Sequence, residues 1–292
     1  MKLLIVGSTG MLGQALCREA HSRDIPYTGI SRSSKEYAID LTNKSTLESA
    51  VYDIKPTVII NAAAETSILA CENDPGHAYQ ANARVVGILA NVCRDLGIYL
   101  VQVSTEHYFT GDLSSRHDEY AQVRLLNEYA RTKYAGELFA LTCPGALVVR
   151  TNIVGFRHKA GYPTFVEWVV EKLEAEERMP LFEDFYTSSI DVSAFSSAIF
   201  DLQGIKPSGL INVASRDVSN KLQFITSLAH KLEIPMHEAY IESLRSLPGA
   251  TRAESLGLDV SKAESLLGYA LPTLDEVTQS IANEYRRRPH EL

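Results

Sequence analysis

The chain is poor in cysteine and has no long apolar run, and each absence excludes a class of protein. Its four cysteines lie far apart among 292 residues, with neither metal-ligand nor redox spacing. No apolar run approaches the ~20 residues that a membrane span requires. The first strand begins at once, so we expect no signal peptide. These absences favour a cytoplasmic protein with reduced thiols, no metal site and no membrane partner.

The chain also has fewer positively charged than negatively charged residues. The formal net charge is −8 at pH 7, which gives no reason to expect a nucleic-acid partner. This charge still allows a phosphorylated substrate, because such sites use local Arg, Lys and backbone N–H groups. Apolar residues make up 45% and charged residues 22% of the chain. This composition is typical of a globular protein with one large or two smaller domains.

Three regularly spaced glycines follow the first apolar run. Residues 2–6 are strand formers, and Gly7, Gly10 and Gly13 come directly after them, ahead of apolar residues at helical spacing. Strand, glycine turn and helix in this order open a dinucleotide-binding unit. Gly7 would allow the tight turn, Gly10 the approach of backbone to a pyrophosphate, and Gly13 close packing of the helix on the strand. The alternative is an ordinary strand-to-helix turn.

The end of the second strand indicates which cofactor binds. NAD-binding units usually carry an acid about 20 residues past the glycines, where it holds the ribose 2′-hydroxyl. Here Ser31 and Arg32 stand near that position, and no acid does. The guanidinium of Arg32 suits a 2′-phosphate, which an acid would repel. We therefore expect NADPH rather than NADH, and the alternative is a solvated turn arginine.

Two later strand ends extend the predicted cofactor site. Asp40, beside Leu41, is a candidate acceptor for an adenine amino group, although a helix start is an equal alternative. Ala62, Ala63 and Ala64 follow the next buried strand. Small residues at that point suit backbone lying against a nicotinamide ribose, and close packing alone is the other interpretation.

A tyrosine and a lysine four residues apart are the catalytic candidates. Tyr129 and Lys133 fall in a helical pattern, so they share one face of the helix. The ammonium is expected to lower the pKa of the phenol, which then exchanges a proton with a substrate carbonyl oxygen. Ser104 and Thr105 end the preceding strand, and side-chain alternation puts only one of their hydroxyls on the substrate side.

The order of elements predicts an α/β fold, a doubly wound parallel sheet (Rossmann) with a smaller C-terminal substrate-binding lobe. Residues 1–150 are assigned to the dinucleotide-binding core. Residues 151–292 are assigned mainly to the lobe, with some elements returning to the core. One helix is expected from about Asp74 to Leu96, and its Asn82 should brace the active-site backbone or cap a loop. The third strand is expected to end near Ile39–Leu41. Later in the chain, the patterns predict a strand at Leu210–Ala214 and helices near Lys221–Leu232, Ser261–Leu267 and Leu274–Tyr285.

Six sequence motifs together resemble the extended short-chain dehydrogenase/reductase superfamily, and within it the dTDP-4-dehydrorhamnose reductase family. The similarity covers nearly the whole chain. The matching stretches are the glycine turn, residues 61–72 ("NAAA…T…E"), residues 104–111 ("STDYVFDG"), Tyr129 with Lys133, residues 150–155 ("RTSWVYG") and residues 258–268 ("LDTSK…LG").

The resemblance implies reduction of a nucleotide-diphosphate 4-keto sugar to a 6-deoxyhexose by hydride transfer from NADPH. Thr105, Tyr129 and Lys133 are then the catalytic residues. The implied substrate contacts are Ser104, Thr105, Glu106, His107, Asn152 and Arg252. The implied cofactor contacts are Gly7, Thr9, Gly10, Met11, Leu12, Gly13, Ser31, Arg32, Asp40, Leu41, Ala62, Ala63, Ala64, Tyr129 and Lys133. The expected partners are this substrate and, as an open alternative to a monomer, a second copy of the chain.

Other functions remain open on this scaffold. An epimerase or a dehydratase has similar motifs, but a 4,6-dehydratase places two adjacent acids after the threonine, and here Glu106 is followed by His107. His107 also departs from the tyrosine of the family pattern. A non-catalytic NADP-binding regulatory subunit, like the beta subunit of methionine adenosyltransferase, is a further alternative. So is an enzyme that acts on a free metabolite ketone.

Overall fold

The computed structural model describes residues 2–35, 37–159, 161–237 and 239–287. Within these ranges, no helix combines the length and the apolar character needed to cross a bilayer. The strands are β1 (Leu3–Val6), β2 (Tyr27–Ser31), β3 (Tyr37–Ala38), β4 (Val58–Asn61), β5 (Tyr99–Val103), β6 (Leu147–Arg150), β7 (Ile153–Val154), β8 (Met179–Phe182), β9 (Tyr186–Thr187), β10 (Ile190–Asp191), β11 (Gly209–Asn212), β12 (Ser219–Asn220), β13 (Ala239–Glu242) and β14 (Ser255–Leu256).

The helices alternate with these strands along the first half of the chain. They are α1 (Met11–Ser22), α2 (Lys44–Ile54), α3 (Ile68–Asn73), α4 (Pro75–Tyr79), α5 (Val85–Leu96), α6 (Glu128–Leu141), α7 (Phe165–Glu174), α8 (Val192–Ile205), α9 (Lys221–Leu232), α10 (Ser261–Leu267) and α11 (Leu274–Arg286). Most of them begin at a residue whose side chain accepts a hydrogen bond from the first turn. These capping residues are Asn43, Ser67, Asp74, Asn127, Thr164, Asp191, Asn220 and Thr273.

A seven-stranded parallel sheet forms the core, in the order β11-β6-β5-β4-β1-β2-β3. Both faces of the sheet are covered, because alternate residues of β1 enter different apolar clusters. Leu3 and Ile5 pack in the cluster that contains residues of α1 and α8. Leu4 and Val6 pack in the cluster that contains residues of α2 and α5. Fully buried strands with helices on both faces confirm the predicted α/β fold.

The second half of the chain supplies both a smaller lobe and the outer part of the sheet. A separate apolar cluster joins residues of α7, β8, α9 and α11. Strand β11, predicted at Leu210–Ala214, pairs with β6 through residues 209–212 and so completes the sheet. Helix α8, which the sequence analysis did not find, places Phe195 and Ile199 in the same cluster as Leu16 of α1.

Two predicted elements differ from the structure. The single helix expected from Asp74 to Leu96 is wrong, because a π-helical turn at Gln80–Arg84 separates α4 from α5. The third strand is β3, two residues before the predicted end near Ile39–Leu41. The sequence analysis did not anticipate this turn, because π-helices are rare and occur mostly as single turns inside a helical pattern.

Candidate active site

The glycine turn between β1 and α1 is packed against the end of β4. Gly7 has φ +85°, and a Cβ atom there would lie 2.8 Å from the backbone N of Ala63. A Cβ atom on Gly13 would lie 2.1 Å from the carbonyl oxygen of Gly7. The predicted roles of Gly7 in the turn and of Gly13 in close packing are thus confirmed. Gly10 is the N-cap of α1, and no side chain caps the first turn.

Hydroxyl groups connect the glycine turn to the end of β2. Thr9 Oγ1 lies 3.0 Å from Ser31 Oγ and 3.0 Å from Ser33 Oγ. Arg32 is exposed between these two serines. Met11 and Leu12, the first residues of α1, lie on the other side of the turn. The residues predicted to contact the phosphates and the ribose of the cofactor therefore lie close together.

Asp40 belongs to the turn that precedes α2. Its Oδ1 accepts hydrogen bonds from the backbone N and from Oγ1 of Thr42, at 3.0 and 2.8 Å. These hydrogen bonds hold the pKa of Asp40 below its ordinary value. Leu41 packs at the margin of an apolar cluster. Asp40 and Leu41 therefore lie where the alternative interpretation, the start of a helix, predicts them.

The three alanines after β4 lie beside Gly7. Ala62 donates its backbone N–H to Val6 O at 2.9 Å, and Ala63 donates to Asn61 Oδ1 at 3.2 Å. All three alanines, including Ala64, are half-buried. Their small side chains meet the close-packing requirement and leave backbone accessible at the edge of the sheet.

Thr105, Tyr129 and Lys133 meet at the carboxyl end of β5. Tyr129 and Lys133 lie one turn apart on α6, and both are buried. The side chain of Thr105 lies near the phenol of Tyr129 and acts to lower its pKa. Lys133 Nζ donates to Val103 O at 2.9 Å, which fixes the ammonium beneath the same strand end. The three predicted catalytic residues therefore form one cluster.

The expected effect of Lys133 on the phenol is wrong in this structure. Burial raises the pKa of Tyr129 above its ordinary value; the Thr105 hydrogen bond opposes this rise, and the charge of Glu106 adds to it. Burial also lowers the pKa of Lys133 to about 8. Desolvation is therefore the largest cause of the shift at both groups. The phenol remains protonated at neutral pH, which suits a proton donor.

The hydroxyls of Ser104 and Thr105 point to different sides, as alternation requires. Ser104 Oγ lies 3.3 Å from the hydroxyl of Tyr108, a fully buried side chain. Its backbone N donates to Val149 O at 2.7 Å. Ser104 Oγ therefore lies on the side of Tyr108, and the Thr105 side chain lies on the side of Tyr129.

A buried carboxylate and an imidazole continue the cluster toward the lobe. Glu106 is 1% exposed and accepts hydrogen bonds from Asn152 Nδ2 and from Thr105 Oγ1. Asn152 Oδ1 accepts from Ser189 Oγ at 2.9 Å. The ring of His107 meets that of Tyr129 edge-on, with centroids 5.5 Å apart, and its Nε2 lies 3.6 Å from Glu106 Oε1. This polar chain joins the catalytic cluster to the lobe.

Two cations act on His107. Burial lowers the pKa of His107, the charge of Glu106 opposes this shift, and the charges of Lys221 and Arg252 lower the pKa further. Arg252 was a predicted substrate contact, whereas Lys221 was not singled out from the sequence. Within the described part of the chain, no three His, Cys, Asp or Glu side chains converge as metal ligands would.

Asn82 braces the active-site backbone, one of the two predicted roles. From the π-helical turn, its Nδ2 donates to Glu65 O at 3.0 Å and to Thr132 Oγ1 at 3.1 Å. Its Oδ1 accepts from the backbone N of Glu65 at 2.8 Å. The loop after the alanines is thereby tied to α6. A Cβ atom on Gly136 would lie 2.3 Å from Asn82 O, so the two helices cross closely.

A protein-family model matches almost the entire chain. The model is described as the RmlD substrate binding domain, and it matches residues 1–287. The chain belongs to this family. The match confirms the resemblance to dTDP-4-dehydrorhamnose reductases that the motifs indicate.

Individual relatives of this RmlD-family chain include both reductases and a subunit of another enzyme. The chain is 26% identical to a probable low-salt glycan biosynthesis reductase of Haloferax volcanii, over 94% of this chain and 95% of that protein. It is 32% identical to a dTDP-4-dehydrorhamnose reductase of Streptomyces griseus, over 62% of this chain and 58% of that protein. It is 24% identical to methionine adenosyltransferase 2 subunit beta of Bos taurus, over 96% of this chain and 87% of that protein.

A solved structure supports the same architecture. The crystal structure of a hypothetical dTDP-4-dehydrorhamnose reductase from Sulfolobus tokodaii superposes with a TM-score of 0.84 at 29% identity. The superposition covers 94% of this chain and 99% of that chain. The order of strands and the lobe are therefore shared features of the family.

Proposed function

We propose that the protein is an NADPH-dependent reductase of a nucleotide-diphosphate 4-keto-6-deoxy sugar. The observation that carries this proposal is the cluster of Thr105, Tyr129 and Lys133 at the end of β5. A hydroxyl pair and a buried lysine at the edge of a dinucleotide-type sheet suit a reaction at a ketone. The similarity to two proteins named as reductases supports the same chemistry.

Each catalytic candidate has a distinct role in this proposal. When bound, NADPH supplies the hydride. Tyr129 donates its hydroxyl proton to the carbonyl oxygen as negative charge develops there, and Thr105 donates a second hydrogen bond to that oxygen. Lys133 holds the nicotinamide ribose and provides positive charge beneath the phenol. The buried position of Tyr129 keeps water away from the reacting atoms.

The glycine turn fits the phosphates of the cofactor. Side chains at Gly7 or Gly13 would fill the space next to the turn. The start of α1, which lacks a side-chain cap, offers backbone N–H groups to an anion. Arg32 and the hydroxyls of Ser31 and Thr9 stand where a ribose 2′-phosphate would bind. We therefore propose these residues as the NADPH site.

The proposal is tested by following NADPH oxidation with a set of nucleotide 4-keto-6-deoxy sugars that differ in base and sugar. Ketone-dependent oxidation is expected with at least one of them, yielding a 6-deoxyhexose that mass spectrometry detects two hydrogens heavier. Oxidation with a free ketone but none of the nucleotide sugars would indicate a different substrate class. No oxidation with any ketone would contradict the reductase.

Cofactor preference gives a separate test at Arg32. Loss of a charge-assisted contact costs about 1.5–3 kcal/mol, so Arg32→Ala should weaken NADPH binding about ten- to a hundred-fold and barely change NADH binding. Dissociation constants for both cofactors, measured by quenching of intrinsic fluorescence, check this result. Equal losses for the two cofactors would show that Arg32 does not contact the 2′-phosphate.

A second candidate function is a regulatory subunit that binds NADP without catalysis. The alignment with methionine adenosyltransferase 2 subunit beta extends over nearly the whole chain, which favours this alternative. Such a subunit would raise the activity of a partner enzyme and show no ketone-dependent oxidation. Adding the protein to a methionine adenosyltransferase and measuring the rate of product formation separates the two functions.

A further inference from the structure

One buried cation near the candidate active site has no polar partner. Lys221 begins α9 and is only 7% exposed. No hydrogen bond or salt bridge joins its ammonium to any residue in the described ranges. Burial of an ammonium without a charged or hydrogen-bonding partner is unfavourable, so this side chain requires an explanation.

Other buried ionised side chains near this site each have at least one polar partner. Lys133 donates to a backbone carbonyl, and Glu106 accepts from an amide and a hydroxyl. Arg150 and Glu137 form a salt bridge with each other. Asp191 caps α8. Lys221 therefore differs from these neighbours, because its ammonium has no hydrogen-bond or ion-pair partner in the described ranges.

Three aromatic rings hold Lys221 in place. Its Nζ lies 4.3, 5.3 and 5.7 Å from the ring centroids of Phe165, Phe185 and Phe224. The faces of such rings attract a cation and orient it, but they leave its three N–H donors unused. The capping box of Asn220 and Gln223 also fixes the backbone at the start of α9. The ammonium is thus both rigidly placed and free to donate.

The position of Lys221 relates it to the catalytic cluster. Strand β12, which ends next to Lys221, pairs with β9 through Ser219 and Thr187. Thr187 Oγ1 lies 2.9 Å from Ser189 Oγ, which in turn donates to Asn152, the partner of Glu106. The charge of Lys221 also acts on Glu106 and His107. These contacts place the start of α9 close to the catalytic cluster.

We propose that Lys221 binds the diphosphate group of the nucleotide-sugar substrate. This inference rests on the proposed function and names the group that the lobe recognises. A pyranose carries its C4 carbonyl and its C1 phosphate on opposite sides of the ring. Tyr129 in the core and Lys221 in the lobe can therefore engage opposite ends of one sugar. An anion would supply the hydrogen-bond acceptors that the ammonium lacks.

The test compares nucleoside diphosphate binding in three variants by titration calorimetry. Saturating NADP⁺ is present throughout, so that the added dTDP or UDP cannot occupy the cofactor site. Lys221→Met should weaken dTDP or UDP binding about ten- to a hundred-fold, and Lys221→Arg should remain within a few-fold of the wild type. As a control, Lys2→Met removes an exposed lysine just before β1, at the end of the sheet away from the catalytic cluster. This variant should bind dTDP and UDP like the wild type. Thymidine and uridine, which lack phosphate, should bind equally to all variants.

The thermal midpoint of the same proteins separates this role from a structural one. Lys221→Met should melt at or above the wild-type temperature, because it removes a buried charge without a partner. A lower midpoint together with unchanged dTDP binding would show that Lys221 only balances Glu106, and would overturn the inference. So would equal losses for dTDP and thymidine, or no binding of either nucleoside diphosphate by the wild type. NADPH oxidation by the wild type still decides the proposed function in each case.

Discussion

Tyr129→Phe is expected to lower the rate of keto-sugar reduction by about 10²–10⁴, the contribution of a positioned proton donor. NADPH affinity should stay within a few-fold, because the ring that packs beside the cofactor is retained and only the hydroxyl is lost. The loss of rate is checked by steady-state kinetics with a reducible nucleotide 4-keto sugar. The retained affinity is checked by the NADPH dissociation constants of the same preparations.

Tyr134→Phe is the matched control for this experiment. Tyr134 lies on the same helix, and its ring meets that of Tyr108 in the core rather than the catalytic cluster. The control should retain the wild-type rate. An undiminished rate in Tyr129→Phe would mean that another group donates the proton, with His107 the nearest titratable ring. If the wild type itself is inactive while it activates a partner enzyme, the regulatory subunit is the correct function.

Glu137→Leu should destabilise the folded protein by about 3–5 kcal/mol, the cost of leaving a buried charge without its partner. Glu137 and Arg150 are 2% and 3% exposed, and their side chains are joined by two donor groups of the guanidinium. Burial alone would lower the pKa of Arg150, but its hydrogen bonds to Glu137 outweigh that effect and raise it. Arginine is not deprotonated in proteins even without such a partner, so Arg150 stays charged in the variant and urea unfolding should measure the full loss.

The double variant Glu137→Leu with Arg150→Met tests the cause. If the loss comes from the unpaired charge, replacing both partners with apolar residues should recover most of it. Arg150 also lies over the Tyr108 ring, 4.9 Å from its centroid, so a small part should remain lost. A double variant as unstable as the sum of the single variants would instead indicate that packing, not charge, determines the effect.

Elements defined by local patterns could be predicted from the sequence. Helices α9 and α10 occur at the predicted bounds, because apolar spacing and capping residues lie within a few positions of each other. The buried strands of the sheet are equally clear as short apolar runs. The glycine turn was identified because its three glycines stand directly between an apolar strand pattern and a helical pattern.

Features that depend on distant residues could not be predicted in this way. Lys221 looks like an ordinary solvated lysine at a helix start, since its three phenylalanine neighbours are widely separated in sequence. The raised pKa of Tyr129 depends on burial that only the folded chain provides. The apolar sequence of α8 carries no motif, and its burial on both sides follows from the returning β11.

The late position of β11 in the chain also determines when the sheet is completed during synthesis. Strand β6 gains its outer neighbour only from residues 209–212. While the ribosome is still making the intervening helix, β6 is an edge with unpaired backbone groups. A chain that stalls in this interval exposes an apolar strand able to pair with another nascent chain. A pause in translation before β11 is complete would therefore prolong the exposure of this edge.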